Sequence, residues 1–304
     1  MSSTPYFVRR ESKSLFLALR GLRYHVLQWG DATLVTPKRP PLVMAHGWMD
    51  VGASFQFVVD ALESDRMVLT LDWRGFGLSP NSGADSYWIP DYLGDLEALL
   101  DALVPGQAVD LLGHSMGANV TMLYVGVRPE RVRKLVNLEG FGMPDTQPHQ
   151  APKRYAQWLD ELKQPQDLRS YDSVQAVAER LRTTNPLLTQ QRAGWLAAHW
   201  SRQREDGQWA ILGDPAHKRI NPVLYRAAEV LECWKRISAP MMWVEGDRTD
   251  MNKWWGARYT RAEFEARLAV VPQVEKHVLS AAGHMLHHDQ PEELARLLEV
   301  FLDR

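Results

Sequence analysis

The stretch that most constrains this chain runs from Ala108 to Val125. Ala108, Val109, Leu111 and Leu112 read as a short buried strand. Gly113-His114-Ser115-Met116-Gly117 follows at once, and Ala118, Val120, Met122, Leu123 and Val125 continue as a helix with a largely apolar surface. A strand that turns so sharply into a helix brings neighbouring backbones into contact on both sides of its tip. Side chains two residues before and after Ser115 would clash there, which is a steric reason for Gly113 and Gly117. Ser115 is expected at the tip, strained, with its hydroxyl exposed. G-x-S-x-G alone is a short pattern, but the strand before it and the helix after it supply the context it requires.

The remaining strands are read from short apolar runs. Ser14–Leu19 and Leu22–Trp29 flank Arg20-Gly21 as two strands joined by a tight turn. Leu42–Ala45 runs into His46-Gly47-Trp48-Met49-Asp50, and Met67–Leu71 runs into Asp72-Trp73-Arg74-Gly75-Phe76-Gly77-Leu78-Ser79. Val132–Leu138 leads to Glu139-Gly140-Phe141-Gly142-Met143-Pro144. Core strands resume at Pro240–Asp247, and Val274–Leu279 is the last, followed by Ala281-Ala282-Gly283-His284-Met285-Leu286-His287-His288-Asp289. Between about Pro144 and Ser238 the pattern holds helical patches rich in Trp, Arg and Gln, with no buried apolar strand. Thr260-x-x-Glu263 is a capping box, and Leu294, Leu297, Leu298 and Phe301 mark one face of a closing helix.

A length of 304 residues allows one large domain with an insertion. The net charge of −2 gives no electrostatic case for nucleic acid or an anionic membrane. The single cysteine, Cys233, precludes an internal disulfide and reads as a small apolar residue rather than a nucleophile. Leu15–Leu19 is too short for a signal-peptide core, and no apolar run reaches transmembrane length, so a cytoplasmic location is expected.

A serine hydroxyl needs a base within hydrogen-bond reach, and the base needs an acid to fix its tautomer. His284, in a Gly-containing loop after the last strand, is the expected base. His287 and His288 read as capping or surface residues. Two acids compete: Glu139 after the sixth strand and Asp247 after the seventh. No His, Cys and carboxylate cluster has convincing metal spacing, and no metal or cofactor is expected.

The set HGWMD, LDWRGFGLS, GHSMG, LEGFG and GHMLHHDQPE resembles the α/β-hydrolase superfamily across nearly the whole chain. HGWMDVGASF, with Thr184–Leu188 and Asn221–Tyr225, is similar to the serine hydrolase-like (kraken-type) branch. The resemblance implies a mostly parallel eight-stranded sheet flanked by helices. It implies a core of residues 1–143 and 239–304, and a helical cap, 144–238, inserted after strand 6. It also implies that Ser115, an acid and His284 form a triad in that chain order, with the backbone N–H groups of Trp48 and Met116 as the oxyanion hole. His46, Asp72 and Arg74 are then loop braces. The familiar pattern after the seventh strand has a glycine followed three positions later by Asp, and Thr249 stands there instead. One branch of haloalkane dehalogenases carries a Glu followed by x-x-x-Met-Pro after the sixth strand, much like Glu139 to Pro144, which favours Glu139 over Asp247.

The expected activity is cofactor-free hydrolysis of a carboxylic ester or thioester of a small, apolar substrate through an acyl-enzyme. Carbon–carbon bond hydrolysis and perhydrolysis use the same triad and stay open, as does a non-catalytic small-molecule receptor on the same fold. Trp158, Trp195, Trp200 and Trp209 could line an apolar pocket or form the cap's own core. Arg202, Arg204, Lys218 and Arg219 read as solvated cap surface.

Overall fold

A computed structural model describes residues 5–304. The strands in chain order are β1 (Lys13–Leu19), β2 (Leu22–Trp29), β3 (Leu42–Ala45), β4 (Val68–Leu71), β5 (Val109–His114), β6 (Val132–Leu138), β7 (Ser170–Tyr171), β8 (Ser201–Gln203), β9 (Trp209–Ile211), β10 (Met241–Gly246) and β11 (Val274–Leu279). The α-helices are α1 (Gln56–Ala61), α2 (Ile89–Leu103), α3 (Met116–Val127), α4 (Ala151–Leu162), α5 (Val174–Thr184), α6 (Gln190–Trp200), α7 (Ala227–Trp234), α8 (Asn252–Trp255), α9 (Arg261–Leu268), α10 (Leu286–Asp289) and α11 (Pro291–Leu302).

Eight strands form one sheet in the order β1-β2-β4-β3-β5-β6-β10-β11. β1 pairs antiparallel with β2, and β2 with β4; every pairing beyond β4 is parallel. The central strands β3, β4, β5, β6 and β10 are covered on both faces, which is why they read as mostly apolar runs, whereas β1 and β11 at the edges are partly exposed. On one face Val43, Leu69, Leu111, Leu135 and Trp243 meet Leu96 and Leu100 of α2, Val120 of α3 and Phe264 of α9. On the other, Met44, Leu112, Val136 and Met242 meet Val58 of α1 and Leu294 and Leu298 of α11. Adjacent residues of one strand thus face opposite layers. From β3 the chain crosses to β4 on one side and then to β5 on the other. The strand order reverses there, and such a reversal opens a crevice at the carboxyl ends of β3 and β5.

The segment between β6 and β10 differs from the sequence expectation in one respect. It holds helices, but also a three-stranded antiparallel sheet in the order β7-β9-β8. Strands of two or three residues carry too little alternation to be seen by period. The Asp206-Gly207 pair between β8 and β9 is a hairpin signal that could have revealed two of them. Gly207 has φ 82°, and Arg204 N–H donates to the Gln208 carbonyl at 2.7 Å. The last helix of this stretch, α7, packs on α3: a Cβ at Gly126 would lie 2.1 Å from the Cys233 carbonyl oxygen. Trp234 accordingly belongs to the core cluster under the sheet.

Tyr171, Val177, Leu181, Leu188 and Leu196 of the inserted segment form a third apolar cluster with Phe57 of α1, against which Trp195, Trp200 and Trp209 pack. The segment docks on the loop after β4. Phe76 bridges to Gly213, Gly77 N–H donates to the Leu212 carbonyl at 2.9 Å, and Tyr87 donates to Asp214 at 2.7 Å. Among the described residues no helix is long and apolar enough to cross a membrane.

Candidate active site

β5 ends at His114, and Ser115 makes the turn into α3 with φ 51° and ψ −114°. Positive φ costs a non-glycine residue about 1 kcal/mol or more and persists only where surrounding structure enforces it. Here the enforcement is steric and hydrogen-bonded. A Cβ on Gly113 would come within 2.4 Å of Ala118 Cα, and one on Gly117 within 2.3 Å of the Ala45 carbonyl oxygen. Ser115 N–H donates to the Leu138 carbonyl at 2.8 Å.

His284 sits in the loop between β11 and α10. Its Nε2 is 3.0 Å from Ser115 Oγ, and its Nδ1 is 2.6 Å from Glu139 Oε2. Glu139, 2% exposed, follows β6 with φ 55°. Its other oxygen, Oε1, accepts from Gly246 N–H at 2.7 Å and from the Thr249 hydroxyl at 2.6 Å. Of the two acids read from the sequence, the structure therefore brings Glu139 to His284. Asp247 is exposed at the end of β10, and its Oδ1 accepts from Ala282 N–H at 3.2 Å. Thr249, the departure noted in the sequence, becomes a hydrogen-bond donor to the carboxylate across the loop. A carboxylate can only accept, so Nδ1 of His284 carries the proton and Nε2 presents its lone pair to the serine. The Trp254 ring stands edge-on to His284 with centroids 4.7 Å apart.

Further hydrogen bonds set the Glu139 loop. Asn137 Oδ1 accepts from Gly140 N–H at 2.7 Å, and Asn119 Oδ1 accepts from Gly142 N–H at 2.9 Å. No local sequence pattern marks Asn119, Asn137 or Trp254 for these roles; Thr249 alone carries a signal, since it stands where the familiar pattern has Asp.

The loop after β3 carries Trp48, half exposed at 52%, and Met49 with φ 55°. Among the described residues the Trp48 and Met116 main-chain N–H groups donate to no protein carbonyl. The expected braces surround them. His46 Nδ1 meets the Gly47 carbonyl at 2.7 Å, and its Nε2 accepts from Trp73 N–H at 3.0 Å. Asp72 accepts from Gly52 N–H at 2.7 Å and from Leu78 N–H at 2.8 Å. Arg74 grips Asp95 with two bonds of 2.6 Å. Burial pushes the His46 and His114 imidazoles below the usual histidine range, which keeps both neutral at pH 7.

One expectation is corrected. His287 and His288 are not surface residues: they are 0% and 2% exposed, tilted or edge-on to Phe55 and Phe57 respectively. The short helix α10 turns inward beneath His284, and a polar pair at a helix start gives no periodic clue to that.

The alpha/beta hydrolase fold family matches residues 40–291. Esterase YbfF of Escherichia coli (strain K12) is 24% identical over 277 residues, 86% of this chain and 93% of that protein. A serine hydrolase-like protein of Danio rerio is 27% identical over 209 residues, 66% of this chain and 63% of that protein. Among solved structures, the thioesterase domain from the curacin biosynthetic pathway is similar with TM-score 0.81 and 24% identity, over 95% of this chain and 99% of that one. On the strength of the family match and these relatives, this chain belongs to the α/β-hydrolase superfamily, with kin in the serine hydrolase-like branch, and is a hydrolase.

Proposed function

We propose that the chain is a cofactor-free serine hydrolase that cleaves a carboxylic ester or thioester of a small, apolar substrate. The observation that carries this reading is the unbroken chain Ser115–His284–Glu139, with contacts of 3.0 and 2.6 Å and the serine in a strained turn. Ser115 Oγ attacks the acyl carbon as its proton passes to His284 Nε2. The developing oxyanion is held by the N–H groups of Trp48 and Met116, a contribution of about 3–4 kcal/mol per donor in sites of this kind. His284, now cationic and paired with the buried Glu139, protonates the leaving group. Water then attacks the acyl carbon as His284 accepts its proton; the acyl–Oγ bond breaks, His284 returns the proton to Ser115 Oγ, and the acid is released.

An apolar acyl group is favoured by what surrounds these residues. Trp48, Met143 and Trp254 are large, exposed and adjacent to the oxyanion loop, the Glu139 loop and His284. The segment 144–238 acts as the cap, with its docking contacts to the loop after β4 holding it over this mouth. Trp195, Trp200 and Trp209 serve as its packing rather than as pocket wall.

The test is p-nitrophenol release from acyl esters of increasing length, with wild type beside Ser115→Ala, and labelling by a fluorophosphonate. Turnover and labelling in wild type, with a loss of about 10⁴-fold or more in the variant, support the reading. Absence of both, alongside tight binding of an apolar ligand, would replace it with a receptor function.

A further inference from the structure

Behind the Ser115–His284 pair lies a second cluster that the proposed chemistry does not use. Asp50, His114 and His287 come from three separate places in the chain: the loop after β3, the end of β5 and α10. Each offers one donor atom, and these atoms lie within 4.8 Å of one another, all on buried residues.

The hydrogen-bond inventory of the cluster is incomplete. His114 Nε2 is 2.8 Å from the His284 carbonyl oxygen, so it carries the ring proton. The lone pair is then on Nδ1, which has no partner among the described residues. Gly47 packs beside it: a Cβ there would come within 2.8 Å of that nitrogen. The His114 and His287 rings are 4.4 Å apart between centroids. His287 Nε2 lies 3.4 Å from Asp50 Oδ2, long for a hydrogen bond to a carboxylate, while His287 Nδ1 has no partner. Asp50 is firmly held. Its Oδ1 accepts from Val51 N–H at 2.8 Å and from the Trp200 indole at 3.0 Å, and its Oδ2 accepts from the Ser54 hydroxyl at 2.8 Å.

We infer that Asp50 Oδ2, His114 Nδ1 and His287 Nε2 form a three-ligand site for a divalent transition-metal ion, Zn²⁺ or its tetrahedral analogue Co²⁺. Two imidazoles and one carboxylate are a donor set suited to these ions. With metal–ligand bonds of about 2.0–2.1 Å, tetrahedral ligands sit about 3.4 Å apart. The Asp50–His287 separation of 3.4 Å already matches that edge. Small rotations of the two rings close the rest. The proton that His287 Nε2 directs at Asp50 in the metal-free form moves to the partnerless Nδ1. The fourth position is left for a water or the Ser54 hydroxyl.

The site has a consequence for turnover. His114 Nε2–H holds the His284 carbonyl, and His287 is three residues further on, in α10 at the end of that loop. Drawing both imidazoles onto one ion shifts the loop that carries His284, so occupancy inhibits. Because the ligands are buried and the Trp200 indole closes over Asp50, loading is slow and follows opening of the inserted segment.

Zn²⁺ binding to chelator-stripped Ser115→Ala protein is measured by equilibrium dialysis, and Co²⁺ by its visible d–d bands. Using that variant separates this inference from the hydrolase reading, since binding needs no turnover. The expected result is one tight ion per chain with tetrahedral Co²⁺ bands, weakened about 30-fold or more by either Asp50→Asn or His287→Gln, and altered less than about threefold by His284→Gln. His287→Gln decides the matter if Asp50→Asn does not fold, as judged by circular dichroism. Three results overturn the inference: no binding up to about 1 mM Zn²⁺, affinity unchanged in His287→Gln, or affinity lost in His284→Gln, which would put the ion on the Ser115–His284–Glu139 chain instead.

Discussion

Replacing Glu139 by Gln tests the site most sharply, because the structure dictates which way the amide must face. Oε1 of Glu139 accepts two hydrogen bonds, from Gly246 N–H and from the Thr249 hydroxyl. In Glu139→Gln the amide oxygen keeps that position, since an NH₂ group there would face two donors. The NH₂ is then forced to the position of Oε2, 2.6 Å from His284 Nδ1. A donor facing Nδ1 requires Nδ1 to be the acceptor, so the ring proton moves to Nε2. Nε2–H then points at Ser115 Oγ and cannot take its proton. The side chain is isosteric and stays buried, so the fold is kept while the tautomer is inverted. The expected loss in kcat is about 10⁴-fold, or about 5.5 kcal/mol of transition-state stabilisation. Asp247→Asn, whose side chain touches only a loop N–H, is expected to change kcat less than about threefold. The assay is steady-state hydrolysis of p-nitrophenyl butyrate, with thermal unfolding to confirm that both variants fold. If Glu139→Gln kept activity within tenfold of wild type while Asp247→Asn lost it, the reasoning from geometry to tautomer would be refuted.

Three further outcomes follow from particular contacts. Thr249→Val removes one of the two donors to Glu139 Oε1 and should lower kcat about tenfold with KM unchanged, as expected for loss of a hydrogen bond to a charged group worth about 1.5 kcal/mol; a rise in KM alone would contradict this. Gly117→Ala drives a Cβ to 2.3 Å from the Ala45 carbonyl oxygen and should cost about 3 kcal/mol in urea unfolding, with a cost below about 0.5 kcal/mol counting against the close approach. His217, stacked between Phe76 and Tyr87 where the inserted segment docks, has its imidazole pushed down to about 4 by burial. The unfolded chain binds that proton at higher pH, so the contribution is present above pH 6.5 and is lost as pH falls towards 4, with a slope of at most about 1.4 kcal/mol per pH unit. His217→Gln should flatten that part of the stability profile, read from unfolding midpoints between pH 7 and 4, and an unchanged slope would remove His217 as a cause.

Much of this molecule is readable before folding because its signals are local. The apolar runs of β3, β4, β5, β6 and β10 stand out since these central strands are buried on both faces of the sheet. Gly113 and Gly117 mark the turn because two backbone approaches of 2.4 and 2.3 Å leave no room for a Cβ. His284 is legible as the histidine of the loop after the last strand. The short strands β7, β8 and β9 escape notice because two or three residues cannot display a period, and the burial of His287 and His288 escapes because α10 is a single turn.

The sequence by itself determined where strands, sharp turn and candidate nucleophile and base lie along the chain, because those depend on neighbours within a few residues. Only the tertiary structure decided what the base touches. Parallel pairing of β6 with β10, Leu138 against Val244, carries Glu139 beside Gly246 and Thr249, residues 107 and 110 positions away. The same pairing leaves Asp247 one residue past the strand end, pointing at a loop N–H. A hydrogen bond reaches about 3 Å. A choice between two carboxylates that stand 108 positions apart in the chain is therefore made by strand register and loop direction, which exist only once the sheet has formed.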